Sequence, residues 1–363
     1  MDIFYRILKV AVESGASDVH IKIGAQVIFR INRQLTAIEC PMPEEEWINM
    51  VVSKIVPHHA ALILEREREV DFSFLAPGIG RFRTNVFQQR GQFCLSLRYV
   101  KTLIPTFEEL GLLPVLRNIA ESPRGIVLVA GSTGCGKSTT LAAMVQHINR
   151  SFKKHIITLE DPIEYVFDDI QSVIEQREVG LDTMTFHNGL KHVLRQDPDI
   201  IMIGEMRDDI SFQAAMTAAD TGHLVLSTLH STTASQSITR ILDFFKADER
   251  EQIRRQLAST LQAVICQRMV TTVTGGVTPA LEIMINSATI RKLVEENRLD
   301  KLPSAIETGV EEGMLNFNQA LFQLVKLRKV SEKEALAKAS NPQALEMNFK
   351  GIFLDDGRRI LSA

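Results

Sequence analysis

The run GSTGCGKST at residues 131–139 carries the most concentrated chemistry in this sequence. Gly131, Gly136, Lys137 and Ser138 fit the spacing G-x-x-x-x-G-K-[ST], directly after the apolar run GIVLVA and directly before the helical run TTLAAMVQHI. Strand, loop and helix in that order suit a phosphate chain. Glycines let backbone N–H groups close around phosphate oxygens, and the helix N-terminus adds the positive end of its dipole. The lysine reaches the β- and γ-phosphates and the serine hydroxyl ligates Mg²⁺. Gly131, Ser132, Thr133, Gly134, Cys135, Gly136, Lys137, Ser138 and Thr139 are therefore the expected nucleotide-binding residues. Cys135 reads as a small loop residue rather than a reactive thiol, although a helix N-terminus would lower its pKa.

Hydrolysis needs carboxylates at the ends of neighbouring strands. DIIMIGEMRD places Glu205 after an apolar strand, with Gly204 where an aspartate often stands; HIITLE is followed by DPIEY, giving Glu160, Asp161 and Glu164 within five residues. Glu164 is the candidate for polarising the attacking water and Glu205 for holding Mg²⁺ through water, and the two roles are exchangeable on sequence grounds. His223 and His230 bracket the strand HLVLSTL, seven positions apart. About 20 Å of strand separates such a pair, so they cannot share one metal, and taken singly each is more often structural. His58 and His59 lie on a polar helical stretch and read as surface residues.

The elements that must position these groups fall into two patterns. Up to about residue 100, short alternating strands (DVHIKI at 18–23, VIFRI, EVDFSF, RFRTNVFQ, FCLSLRYV) surround helical segments near 4–12 and 44–66, an α+β pattern. KTLIPTFEELGLLP at 101–114 reads as a linker. From 115 to 287, apolar runs of strand length (125–131, 155–160, 199–204, 223–229) alternate with helical segments, which means a mainly parallel sheet covered on both faces. Residues 288–363 read as helical. The 363 residues suffice for two domains, and 41 Lys plus Arg against 44 Asp plus Glu leave a net charge of −3. That charge disfavours a DNA-translocating motor, since no global positive field exists. Four cysteines without a CxxC pair suit a reducing, cytoplasmic setting. The sequence offers no secretory signal and no apolar run of transmembrane length.

The set GASDVH, RFRTNVFQQR, GSTGCGKSTT, ITLEDPIEY, VLRQDPDIIMIGEMRD and TGHLVLSTLH resembles the type II/type IV secretion and pilus ATPases, with Walker A, Asp box, Walker B and His box in order. The short N-terminal region and the lack of a four-cysteine zinc insertion resemble the type IV pilus retraction branch. The resemblance implies a PAS-like α+β domain over 1–100, a linker, a RecA-like P-loop core over 115–287 and a helical C-terminal region. It implies ATP and Mg²⁺, with Glu164, Glu205 and His230 catalytic and with Arg83 and Arg98 completing the site of a neighbouring subunit. It further implies a hexameric ring at the cytoplasmic face of the inner membrane, an inner-membrane pilus platform protein as partner, and pilus retraction as the activity. The alternatives it leaves are a pilus-assembly or type II secretion ATPase and a slowly hydrolysing, nucleotide-gated regulatory paralogue.

Overall fold

The computed structural model describes residues 1–31, 34–100 and 103–352. Residues 101 and 102 of the expected linker, the end of the expected helical region from 353 onward and the His59 side chain lie outside the described residues. The chain forms two compact units, the first made of Met1–Leu103, Asp161–Val166 and Gly180–Asp182, the second of the remainder.

In the first unit, α1 (Asp2–Glu13) buries Phe4, Ile7, Leu8 and Ala11, one helical stripe. It is followed by β1 (Asp18–Lys22), β2 (Val27–Ile31), β3 (Gln34–Ile38), α2 (Glu45–Ile55), α3 (His58–Glu67), β4 (Glu69–Ala76), β5 (Gly80–Gln89) and β6 (Gln92–Val100). The helical stretch near 44–66 is two helices, because Pro57 offers no N–H and holds Val56 in an extended conformation. The strands form an antiparallel sheet in the order β3-β2-β1-β6-β5-β4. Alternation sends Val19, Ile21, Val27, Phe29, Phe82, Val86, Leu95 and Leu97 into a core with Phe4, Leu8, Ile48 and Val51. The same alternation puts Ser73, Arg83, Arg98, Asp18 and Arg30 in one row across the sheet, each facing the next on the adjacent strand.

The second unit contains α4 (Val115–Ala120), β7 (Gly125–Gly131), α5 (Lys137–Ser151), β8 (His155–Glu160), β9 (Val173–Glu178), α6 (Phe186–Val193), β10 (Ile200–Ile203), α7 (Asp209–Asp220), β11 (Leu224–Leu229), α8 (Ala234–Asp243) and α9 (Arg250–Thr260). A hairpin of β12 (Leu261–Thr271) and β13 (Val277–Ile285) follows, and then α10 (Ala288–Glu295), α11 (Leu302–Thr308), α12 (Phe317–Lys326), α13 (Glu332–Lys338) and α14 (Pro342–Phe349). The sheet order is β13-β12-β7-β11-β10-β8-β9, parallel except for β13. Every residue of β7 is buried, Ile126, Leu128 and Ala130 packing in one cluster with Phe212, Ala215 and Met216. Burial on both faces is why these strands read as unbroken apolar runs. None of the described helices is long and apolar enough to cross a membrane, and the four cysteines are free.

Register fixes where the strands end. Ala130 faces Leu229 and Leu159 faces Ile203 across parallel ladders, so Gly131 and Glu160, the last residues of β7 and β8, and Gly204 and His230, the first beyond β10 and β11, lie at the same end of the sheet. Gly131 has a φ of +153°, and a Cβ there would sit 2.4 Å from Cys135 Sγ and 2.8 Å from the Gln267 carbonyl oxygen. Gly131→Ala should therefore destabilise the protein by about 2–4 kcal/mol, from strained backbone and a contact with main chain that cannot move aside. Urea denaturation checks this; a loss under about 0.5 kcal/mol, the ordinary surface range, would contradict it.

Candidate active site

Gly136, at φ +89°, ends the loop and lets Lys137 open α5. Lys137 is 8% exposed, and its Nζ donates to the carbonyls of Gly131 at 2.9 Å and Ser132 at 3.1 Å. The ammonium is thus folded back over its own loop, desolvated and held by neutral acceptors that a phosphate oxygen would outbid. Ser132, Thr133 and Gly134 are exposed around it, while Cys135 is buried. Burial pushes the Cys135 thiol above its ordinary pKa despite the pull of Lys137, correcting the expectation that the helix N-terminus would lower it. Beside the loop lies a cavity of roughly 390 Å³ whose walls include Gly134, Thr232, Arg268, Met269 and Lys338, open and cationic on one side. Strand β12 supplies Arg268 and Met269 of this wall and α13 supplies Lys338. The β12 residue Gln267 faces Gly131 in register and donates from Nε2 to Thr140 Oγ1 at 2.9 Å, securing the base of α5.

Glu205 and His230, from two adjacent strand ends, come together: His230 Nε2 is 3.2 Å from Glu205 Oε1. Arg207 donates to the other carboxylate oxygen at 2.8 Å. Burial and the charge of Lys137 hold the His230 imidazole below its ordinary pKa, against the opposing effect of Glu205. Neutral near pH 7, the ring can donate one hydrogen bond and accept another. A Cβ at Gly204 would make contacts of 3.4 Å with the Glu160 Cα and the Leu159 carbonyl, so it would pack against the end of β8. The buried Glu160 accepts from Thr158 Oγ1 at 2.7 Å and Gln176 Nε2 at 3.1 Å. His223 is structural, its Nδ1 2.9 Å from the Ala218 carbonyl, and His58 is exposed.

Arg83, Arg98 and Glu164 belong to the first unit. Arg98 Nε donates to Asp18 Oδ1 at 2.8 Å, and Arg30 Nε lies 3.5 Å from Oδ2. Arg83 is exposed and has no ion pair among the described residues. Glu164 is exposed on the segment Asp161–Val166. Sequence reasoning had not found Asp18, Arg207 or Gln267. Arg207 could have been found, two residues after Glu205, whereas Gln267 and Thr140 are 127 positions apart and meet only through strand order. Among the described residues no cluster of three or more His, Cys, Asp or Glu could hold a metal by itself. The oxygen donors at the site, the Ser138 hydroxyl and the Glu205 carboxylate, are of the type Mg²⁺ takes when a substrate's phosphates complete its shell.

Residues 2–277 match the family described as type II/IV secretion system protein. The chain is 40% identical over 337 residues to the type IV pilus retraction ATPase PilT of Pseudomonas aeruginosa, covering 93% of this chain and 98% of that protein. It is 40% identical to a twitching motility protein of Neisseria gonorrhoeae, covering 88% and 85%. A crystal structure of the pilus retraction motor PilT with bound ADP superposes with a TM-score of 0.88 at 40% identity, covering 94% of this chain and 98% of that one. The type II secretion system protein E of Xanthomonas campestris, by contrast, is matched over only 47% of its length.

The Asp18–Arg98 contact has a pH signature. Burial alone would raise the Asp18 carboxyl, but hydrogen bonds from Ser17 and Arg98 and the charge of Arg98 outweigh it, leaving the pKa below the ordinary 3.8. The folded state therefore favours the carboxylate, and the contribution is fully present above the unfolded value and lost as pH falls through the folded one. Wild type should be more stable than Asp18→Asn at neutral pH, with the gap closing below about pH 3.8. Thermal melts at graded pH check this; a gap that widens in acid would refute it.

Proposed function

The chain belongs to the type II/IV secretion system protein family, and from that premise we propose that it is an ATP hydrolase whose turnover powers type IV pilus retraction. The observation that carries the direction of work is coverage: a retraction ATPase is matched over 98% of its length, a type II secretion system protein E over about half.

In this reading the phosphates of ATP enter the loop 131–139, and Lys137 exchanges its two carbonyl partners for β- and γ-phosphate oxygens. Ser138 and, through water, Glu205 would hold Mg²⁺, which would offset charge on those phosphates. The cationic cavity beside the loop takes the ribose and base. His230 and Arg207 orient the Glu205 carboxylate between them, and Glu164 polarises the attacking water. Arg83 and Arg98 act on the nucleotide of a neighbouring subunit in a homohexameric ring, where a guanidinium stabilises the developing charge on the transferred phosphoryl group. Arg83, without an ion pair among the described residues, is the readier of the two to engage a neighbour. The ring works at the cytoplasmic face of the inner membrane against a pilus platform protein.

Three experiments test this. Deleting the gene in cells with fluorescently labelled pili should abolish retraction while pili remain; loss of pili would instead mark an assembly motor. In the purified protein, Lys137→Ala should abolish hydrolysis with the fold intact, since its ammonium serves phosphate rather than core. Arg83→Ala should lose most hydrolysis, still bind nucleotide, and regain part of it when subunits are mixed with Lys137→Ala, because some interfaces then join an intact loop to an intact arginine. Absence of recovery where subunits demonstrably exchange would exclude action between subunits.

A further inference from the structure

Glu282 on β13 is a buried carboxylate, 9% exposed, that the reading above leaves without a task. Its Oε1 accepts the backbone N–H of Ala234 at 2.8 Å. Ala234 is the first residue of α8, and its N–H is one of the orphan donors at the helix start. Thr233 satisfies a second donor, accepting from the Gln236 N–H at 3.2 Å. Two acceptors, one of them on a different element, thus fix where α8 begins. His230 leaves β11 only four residues earlier. The intervening loop has little slack: Ser231 Oγ lies 2.6 Å from Ser237 Oγ on α8, which also donates to the Thr233 carbonyl at 2.9 Å.

We propose that Glu282 is a positioning residue for hydrolysis: by pinning the first turn of α8 to β13, it sets the path of residues 230–233 and keeps His230 in reach of Glu205. The inference rests on the reading that His230 and Glu205 serve hydrolysis. The strand register supports it, because Glu282 faces Cys266 on β12 while the next β12 residue, Gln267, secures α5. One hairpin therefore braces both the phosphate loop and the His230 loop. Burial raises the Glu282 carboxyl above its ordinary pKa, with the Ala234 N–H and the charge of Arg268 opposing. A group kept desolvated at that cost sits where a polar contact has to be made.

The test uses the full-length protein and three substitutions. Glu282→Leu fills similar volume without an acceptor. Glu282→Asp keeps the carboxylate but draws it back by one methylene, and Glu282→Gln retains a carbonyl acceptor at the same reach. Leu and Asp variants should lose roughly tenfold in kcat for ATP with KM moving less than about twofold, as for a misplaced group that acts in the transition state. The Gln variant should retain at least half of the activity. In a His230→Ala background the Leu and Asp substitutions should cost nothing further, because what they position is gone. A role confined to stability would lower melting temperature and reduce activity equally in both backgrounds, and would overturn the proposal. So would Leu and Asp variants that turn over within twofold of wild type. If His230→Ala alone proves fully active, the failure belongs to the reading of the site instead.

Discussion

The second unit depends on one constraint: four parallel strands must keep their register, β8 and β10 ending two residues before β7 and β11 respectively. Ladder pairing of Ala130 with Leu229 and of Leu159 with Ile203 brings a lysine-bearing loop, two carboxylates and an imidazole to one edge without any of them contributing to the core. A slip of one residue in any ladder would turn its side chains to the other face and misplace the residue that follows the strand. Chemistry at the edge is thus specified by residues that never touch a ligand.

Charge at that edge is handled by local compensation rather than by a surrounding field. Lys137 is offset by two carbonyls, Glu205 by an arginine and a neutral imidazole, and Asp18 in the other unit by two arginines. This agrees with a chain whose formal charge is close to zero. Burial decides the sign at Cys135 and at Glu282, and is outweighed at Asp18 by the hydrogen bonds of Ser17 and Arg98 and the charge of Arg98.

Most of the sheet and the whole phosphate loop could be read in the sequence because both are local patterns: an apolar run, then glycines at fixed spacing. The long β12–β13 hairpin was not read, although Gly275 and Gly276, both at positive φ, mark its turn. The edge strand β9, VIEQRE, escaped because its charged and half-exposed residues give no apolar periodicity. Arg83 and Arg98 could be named from their motif, yet only antiparallel register reveals that they face each other and that one is tied to Asp18. Glu205 and His230 were each visible, but their contact was not, since 25 residues and a helix separate them. What stays hidden in a sequence is pairing across distance.

The division of the chain also bears on how such a protein can change. Asp161–Val166, which carries Glu164, is encoded in the middle of the second unit and belongs structurally to the first, as does Gly180–Asp182. The two units are therefore not cassettes. A recombination event or a truncation at residue 103 would take most of the first unit and leave two of its pieces behind, and an exchanged N-terminal half would meet a foreign Glu164 segment. Inheritance of the two units has to be joint, and drift in one is answerable to the other.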